Sequence, residues 1–239
     1  MKRYCLYLFI LIGISCSAEL KAQKNGTIYK GNDPAVRYTG RTLVSPDGSV
    51  AFDWVGTYLE TRFTGGKLSV KVSETGTSYY NVFVDGKLHK VVKVCGTDTL
   101  IHLVSGIDKR IHSLKIQKRS EGEFGKTTVH QFVLSGSGRL AEEPAVRTRH
   151  IEFIGNSLTC GYGTDGKHRD EPFLVETENC NLTFASMVAR YYDADYTLIA
   201  HSGRGAARNY GDSVRVSKVT MKDRMLNTFD EDLTHKWNF

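Results

Sequence analysis

After its N-terminus, this chain of 239 residues has no apolar stretch long enough to span a bilayer as a helix. Its histidines and cysteines show no metal-ligand spacing, so no metal site is read from the sequence, and no cofactor motif is present. Internal repeats and low-complexity tracts are also missing. So is any nucleic-acid motif. The formal net charge is +6, but the basic residues are scattered. The densest groups, Lys109-Arg110 and Lys118-Arg119, are short and lie beside strand-like segments, as on a solvated surface. Between about Thr27 and Leu140 helical periodicity is lacking as well.

What is present begins with a secretion-type leader over residues 1–22. Lys2 and Arg3 precede an apolar core from Leu6 to Ile14, and Ala22 marks the expected cleavage site. Export to the periplasm or the exterior follows. Cys16, after Gly13-Ile14-Ser15, offers lipidation as the lesser alternative. Cys5 and Cys16 fall within the leader, which leaves Cys95, Cys160 and Cys180. In an oxidising compartment Cys160 and Cys180, which flank one loop region, are expected to pair, with Cys95 a buried thiol in a strand. Three buried, reduced cysteines are the alternative.

Residues 27–140 read as all-β. Leu68–Ser73 and Tyr80–Val84 alternate apolar and polar side chains, the period of a half-buried strand. Asp85-Gly86 follows at once, a tight-hairpin signal into Lys87–Val91. Further strand-like runs occur at Thr99–Val104, His112–Lys118 and Thr128–Leu134, punctuated by Gly65-Gly66, Gly76, Gly106 and Gly136. Stacking their apolar faces gives a β-sandwich or jelly roll. Trp54, Tyr58, Tyr79 and Tyr80 are candidates for stacking on sugar rings, with core packing the alternative.

Ala141–Ala145 reads as a linker. Over residues 148–239 the pattern becomes strand, loop, helix, strand: Ile151–Ile154, then a helix begun near Asn181 and Thr183, then Tyr196–Ala200. Phe184, Met187, Val188 and Tyr191 share one helical face, expected to pack into the core. This alternation implies a parallel sheet covered by helices.

Chemistry is signalled where the strand Ile151–Ile154 stops at Gly155 and Ser157 follows, since open α/β sheets bind ligands at the carboxyl ends of their strands. The string Ile151–Gly163, with Thr159-Cys160-Gly161-Tyr162-Gly163, resembles the first block of the SGNH (GDSL-like) hydrolases, and within them carbohydrate esterase family two. That resemblance implies a partial α/β/α, flavodoxin-like SGNH domain after the sandwich, with Ser157 as nucleophile and oxyanion N–H donor. The segment Ala200–Gly211 resembles the second block. On its Ser-x-x-Gly spacing Gly205 is the second oxyanion donor, with Gly203 the alternative. The resemblance implies an acetylated plant polysaccharide, xylan or glucomannan, as substrate, and requires no cofactor. A lipase of the same superfamily is a weaker reading.

The chain also departs from the pattern. Asn156 stands where relatives carry Asp. The third block, with Gly-x-Asn-Asp, and the late block with the catalytic histidine do not occur after Gly211, so a C-terminally truncated esterase is expected. His168, His201 and His235 are read as turn, packing or surface residues. A catalytically incomplete fragment that keeps a glycan-binding or structural sandwich is the alternative.

Overall fold

The computed structural model describes residues 26–142 and 145–239. The leader expected over residues 1–22 lies outside the described residues. Seven strands form one antiparallel sheet: β1 (Thr27–Lys30), β2 (Val36–Thr39), β3 (Leu43–Val44), β4 (Val50–Phe52), β5 (Tyr58–Val84), β6 (Lys87–Lys118) and β7 (Thr127–Ser135). Asp85 and Gly86 join β5 to β6 with φ of 50° and 74°, the left-handed geometry of the hairpin turn that the dipeptide predicts.

β5 and β6 run for 27 and 32 residues, where the sequence reading has separate short strands. Gly65, Gly66, Gly76 and Gly106 therefore lie inside strands, near register shifts, and bend them instead of ending them. The bending curls the sheet onto itself. Ile116 of β6 pairs with Leu59 at one end of β5 and with Val82 at the other. Phe63, Leu68, Val82, Leu103, Phe132 and Leu134 fill the interior with no exposed surface. Burying a side chain of this size contributes about 1.5–3 kcal/mol.

Beyond it, β8 (His150–Gly155) and β9 (Asp195–Ala200) pair in parallel. Three helices accompany them: α1 (Ser157–Cys160), α2 (Phe184–Tyr191) and α3 (Met221–Arg224). β9 is buried along its whole length, as a strand covered on both faces must be.

α2 starts after Thr183, as expected, but it packs the other way round. It buries Ala185, Ser186 and Ala189, while Phe184, Met187, Val188 and Tyr191 are 38–83% exposed. Small side chains let the helix lie close over the core formed by Tyr58, Tyr196 and Leu198, and the large apolar residues are left outside.

The curled sheet and the β8–β9 unit share that core: Val55 and Tyr58 pack with Cys160, Cys180, Ala185 and Leu198. A Cβ on Gly56 would meet Leu198 Cδ1 at 2.6 Å, so only glycine permits this approach. Asp195 seals the seam. Its carboxylate accepts from Arg37 at 2.7 Å, from Tyr58 Oη at 2.8 Å and from Arg147 at 2.8 Å. Burial opposes its charge, yet these hydrogen bonds and the Arg37 charge hold it down at about 2.

The expected disulfide is not formed. Cys160 and Cys180 are buried free thiols, and Cys95 is exposed rather than buried. Each inner thiol has its own polar neighbour. Cys180 Sγ donates to Lys118 O at 3.4 Å, and Cys160 faces the carboxyl groups of Glu121 and Glu178, with one donor atom from each of the three within 4.8 Å of the others.

Candidate active site

β8 and β9 end in register, with Gly155 opposite Ala200. The chain leaves both strands at the same sheet edge, so the segments after Gly155 and after Ala200 emerge side by side. Asn156 caps α1: its Oδ1 accepts from Leu158 N at 3.2 Å. The capping oxygen is one that Asn shares with Asp, so the local turn is kept. Ser157 is the first residue of α1 and is half-buried.

A cavity of about 640 Å³ opens at this edge, and Ser157, Ser202, Gly203 and Gly205 all line it. The two elements that the sequence singles out are thus brought together. The glycines differ in what they can offer. The Gly205 amide donates to Asn209 Oδ1 at 3.3 Å, and its carbonyl accepts from Met221 N. A Cβ there would meet Arg208 O at 2.0 Å. Gly203 has φ of +73°, a left-handed conformation that favours glycine. Among the described residues the amides of Ser157 and Gly203 have no hydrogen-bond acceptor. Of the two glycine amides, that of Gly203, the alternative position, is without an acceptor, while that of Gly205 is taken by Asn209 within its own loop.

The cavity has walls that the sequence reading does not anticipate. Tyr162 lines it and stacks on Phe173 at 3.7 Å, nearly parallel. Tyr210 lines it with 91% of its surface exposed. Glu123 comes from a short 3-10 turn (Gly122–Phe124) that follows β6, so the sheet domain contributes to the wall. Its carboxyl is raised by burial and by the charge of Glu121. The aromatics proposed for sugar stacking do not face this cavity. Trp54, Tyr58 and Tyr80 are buried, and Tyr79, half-buried, donates its hydroxyl to Glu176 at 3.3 Å.

No histidine is among the residues lining the cavity. His168 is exposed and lines a neighbouring hollow that shares Tyr162. His235 is exposed and pairs with Asp232 at 2.7 Å. His201 is buried and its Nδ1 lies 2.7 Å from Asp230. Burial alone would lower its imidazole, but the Asp230 hydrogen bond and charge outweigh that and raise it. The packing role read for His201 thus comes with a buried ion pair that the sequence does not announce.

Behind the cavity sits a group of buried acids. Glu121 and Glu178 are both without exposed surface. Burial, then the Glu121 charge beside it, push the Glu178 carboxyl up to about 10, so it holds its proton at neutral pH. No sequence pattern announces this pair, since the two residues lie on different segments.

The carbohydrate esterase 2 N-terminal family model matches residues 38–144. A cellulase/esterase, CelE, of Acetivibrio thermocellus is 34% identical over 180 residues, which are 75% of this chain and 22% of that protein. An acetylxylan esterase / glucomannan deacetylase of Cellvibrio japonicus is 31% identical over 199 residues, 80% of this chain and 54% of the relative. Among solved structures, a family two carbohydrate esterase from Clostridium thermocellum in complex with cellohexaose superposes with a TM-score of 0.79 at 32% identity. That match covers 85% of this chain and 61% of the other. The chain thus spans about a fifth and about half of these two curated relatives. Over the part it spans, residues 38–144 carry the carbohydrate esterase 2 N-terminal domain, and the sequence and fold match family two carbohydrate esterases.

Proposed function

We propose that this chain carries the serine-bearing face of an exported carbohydrate esterase that removes acetyl groups from a plant polysaccharide such as xylan or glucomannan. The observation that carries the reading is one cavity lined by both Ser157 and Gly203 at the carboxyl edge of a parallel strand pair. In this reading residues 27–140 form a jelly-roll domain, and residues 148–239 belong to a flavodoxin-like SGNH domain. Ser157 Oγ attacks the acetyl carbonyl, and the sugar oxygen leaves with a proton. Water then releases acetate from the acylated serine. The oxyanion is held by the amides of Ser157 and Gly203, each such donor being worth about 2.7–4 kcal/mol in the transition state. Tyr162, braced by Phe173, and Tyr210 offer aromatic faces to a sugar ring. The family resemblance assigns the base that takes the Ser157 proton to a histidine. This chemistry calls for no metal and no organic cofactor.

A second reading is glycan binding without turnover. It is favoured by the lack of a histidine at the cavity among the described residues. Acetate release from acetylated xylan, measured beside an insoluble-xylan pull-down, separates the two. The esterase reading predicts turnover by the product of the complete reading frame. Xylan retention without acetate release in that same protein supports the binding reading and removes the first.

A further inference from the structure

Glu121 lies just past the end of β6 on the sheet side of the seam, fully buried, and reaches the loop that follows β9. Its two carboxylate oxygens accept from Ser202 N–H and from Ser202 Oγ–H. Ser202 is one residue before Gly203, which lines the cavity and whose amide has no acceptor among the described residues. On its other side, Glu121 meets the thiol of Cys160, the last residue of the helix that Ser157 begins. One carboxylate therefore stands between the two arms that line the cavity.

We propose that Glu121 is a positioning residue of the acyl-transfer site: it fixes the Ser202–Gly203 peptide relative to the helix of Ser157, so that both oxyanion donors hold their separation. This rests on the esterase reading above and adds a part to it that comes from the sheet domain rather than from either catalytic block.

The chemistry of the surroundings keeps Glu121 in place. Its own backbone N–H donates to Glu178 Oε2 at 2.9 Å. Glu178 Oε1 is buried with no donor pointing at it, which suits an oxygen that carries a proton toward a neighbouring carboxylate. Glu178 keeps its proton, and both Glu121 oxygens are left to the two Ser202 donors. Charge-assisted hydrogen bonds of this kind are short and directional, and a buried carboxylate with its donors in place resists reorientation. Glu123, Tyr162 and His201 are further titratable groups whose fields reach it. None of them forms a hydrogen bond with it among the described residues.

The mechanism makes the contact matter. A misplacement of about 1 Å at an acyl-transfer site costs roughly a hundredfold in rate. Glu121→Gln keeps the shape and removes the charge. The expected result is a fall in kcat of about ten- to a hundredfold on acetylated substrate, with KM within about twofold, because the loss falls on the oxyanion geometry and not on sugar contacts. Ser202→Ala removes only one of the two donors and is expected to lower kcat in the same direction by less. The double variant is expected to be little worse than Glu121→Gln, since both act through one contact. A readout independent of turnover is the backbone amide proton of Ser202 in the NMR spectrum of the 239-residue chain. It is expected far downfield in the parent and moved upfield in Glu121→Gln. Unchanged kcat, or strictly additive losses in the double variant, overturns the inference. So does a Ser202 signal that does not move. If the parent releases no acetate, the esterase reading falls by itself, and the Ser202 signal alone decides whether Glu121 holds the loop.

Discussion

Gly203 and Gly205 stand two residues apart on the same cavity wall, and their backbones set them different tasks. Gly203 holds φ of +73° with open space around it, since a Cβ would find only Tyr210 Cβ at 3.8 Å. Gly205 is hemmed in by Arg208 O at 2.0 Å from a built Cβ. Gly203→Ala is therefore expected to cost about 1–2 kcal/mol of local strain and to turn the amide away, lowering kcat with a small change in the urea midpoint. Gly205→Ala has to push backbone aside and is expected to cost about 1–3 kcal/mol of stability. Steady-state kinetics and urea denaturation of both variants check the division. Equal kcat losses with equal stability losses would contradict it. The sequence alone leaves this choice open, because spacing counts residues while the hydrogen bond from Gly205 to Asn209 is set by how the loop folds back. Ser157, by contrast, is legible: an apolar strand, a glycine and a capping Asn156 specify a local turn that needs no distant partner.

Local signals carried the elements as well, and long-range packing set what they could not. The Asp85-Gly86 hairpin, the strand Ile151–Ile154 and the Thr183 helix start all rest on residues adjacent in sequence. The continuity of β5 and β6 through their glycines does not, because a glycine inside a ladder bends or breaks it according to what pairs across from it. The orientation of α2 is another case. Its apolar stripe is real, but the space above Tyr196 and Leu198 admits Ala185 and Ala189 and not Met187 or Tyr191. The buried acid pair joins the segment between α1 and α2, which carries Glu178, to the turn after β6, which carries Glu121, and it predicts a pH dependence. Glu178 is faced by Glu121, Lys118, Cys160 and Cys180. Its folded pKa, about 10, lies above the ordinary 4.5. Between those values the native state keeps a proton that the unfolded chain has shed, so this contribution to stability is full below the lower value and is lost as pH rises toward the upper one. Asp53, raised by burial to about 7, acts in the same sense. Urea midpoints taken from about pH 5 to about pH 9 are expected to fall, and Glu178→Gln is expected to flatten that slope. A variant with the same slope as the parent would show that Glu178 is ionised in the native state.

At the scale of the molecule, the site is a joint product of the curled sheet and the parallel strand pair. Val55 and Tyr58 share a core with Cys160 and Leu198, and Asp195 gathers Arg37, Tyr58 and Arg147 across the seam. A buried carboxylate with three donors is costly to disrupt, so the two parts hold one relative placement. That placement puts Glu123 in the cavity wall and Glu121 behind it. In the proposed reaction the acetyl group passes through Ser157 Oγ. The most direct measurement is acetate release from acetylated xylan by the complete gene product and by its Ser157→Ala variant, side by side and with folding checked by circular dichroism. The account predicts that the folded variant loses turnover by at least about a thousandfold, the scale of removing a nucleophile. Undiminished acetate release by that variant would contradict it.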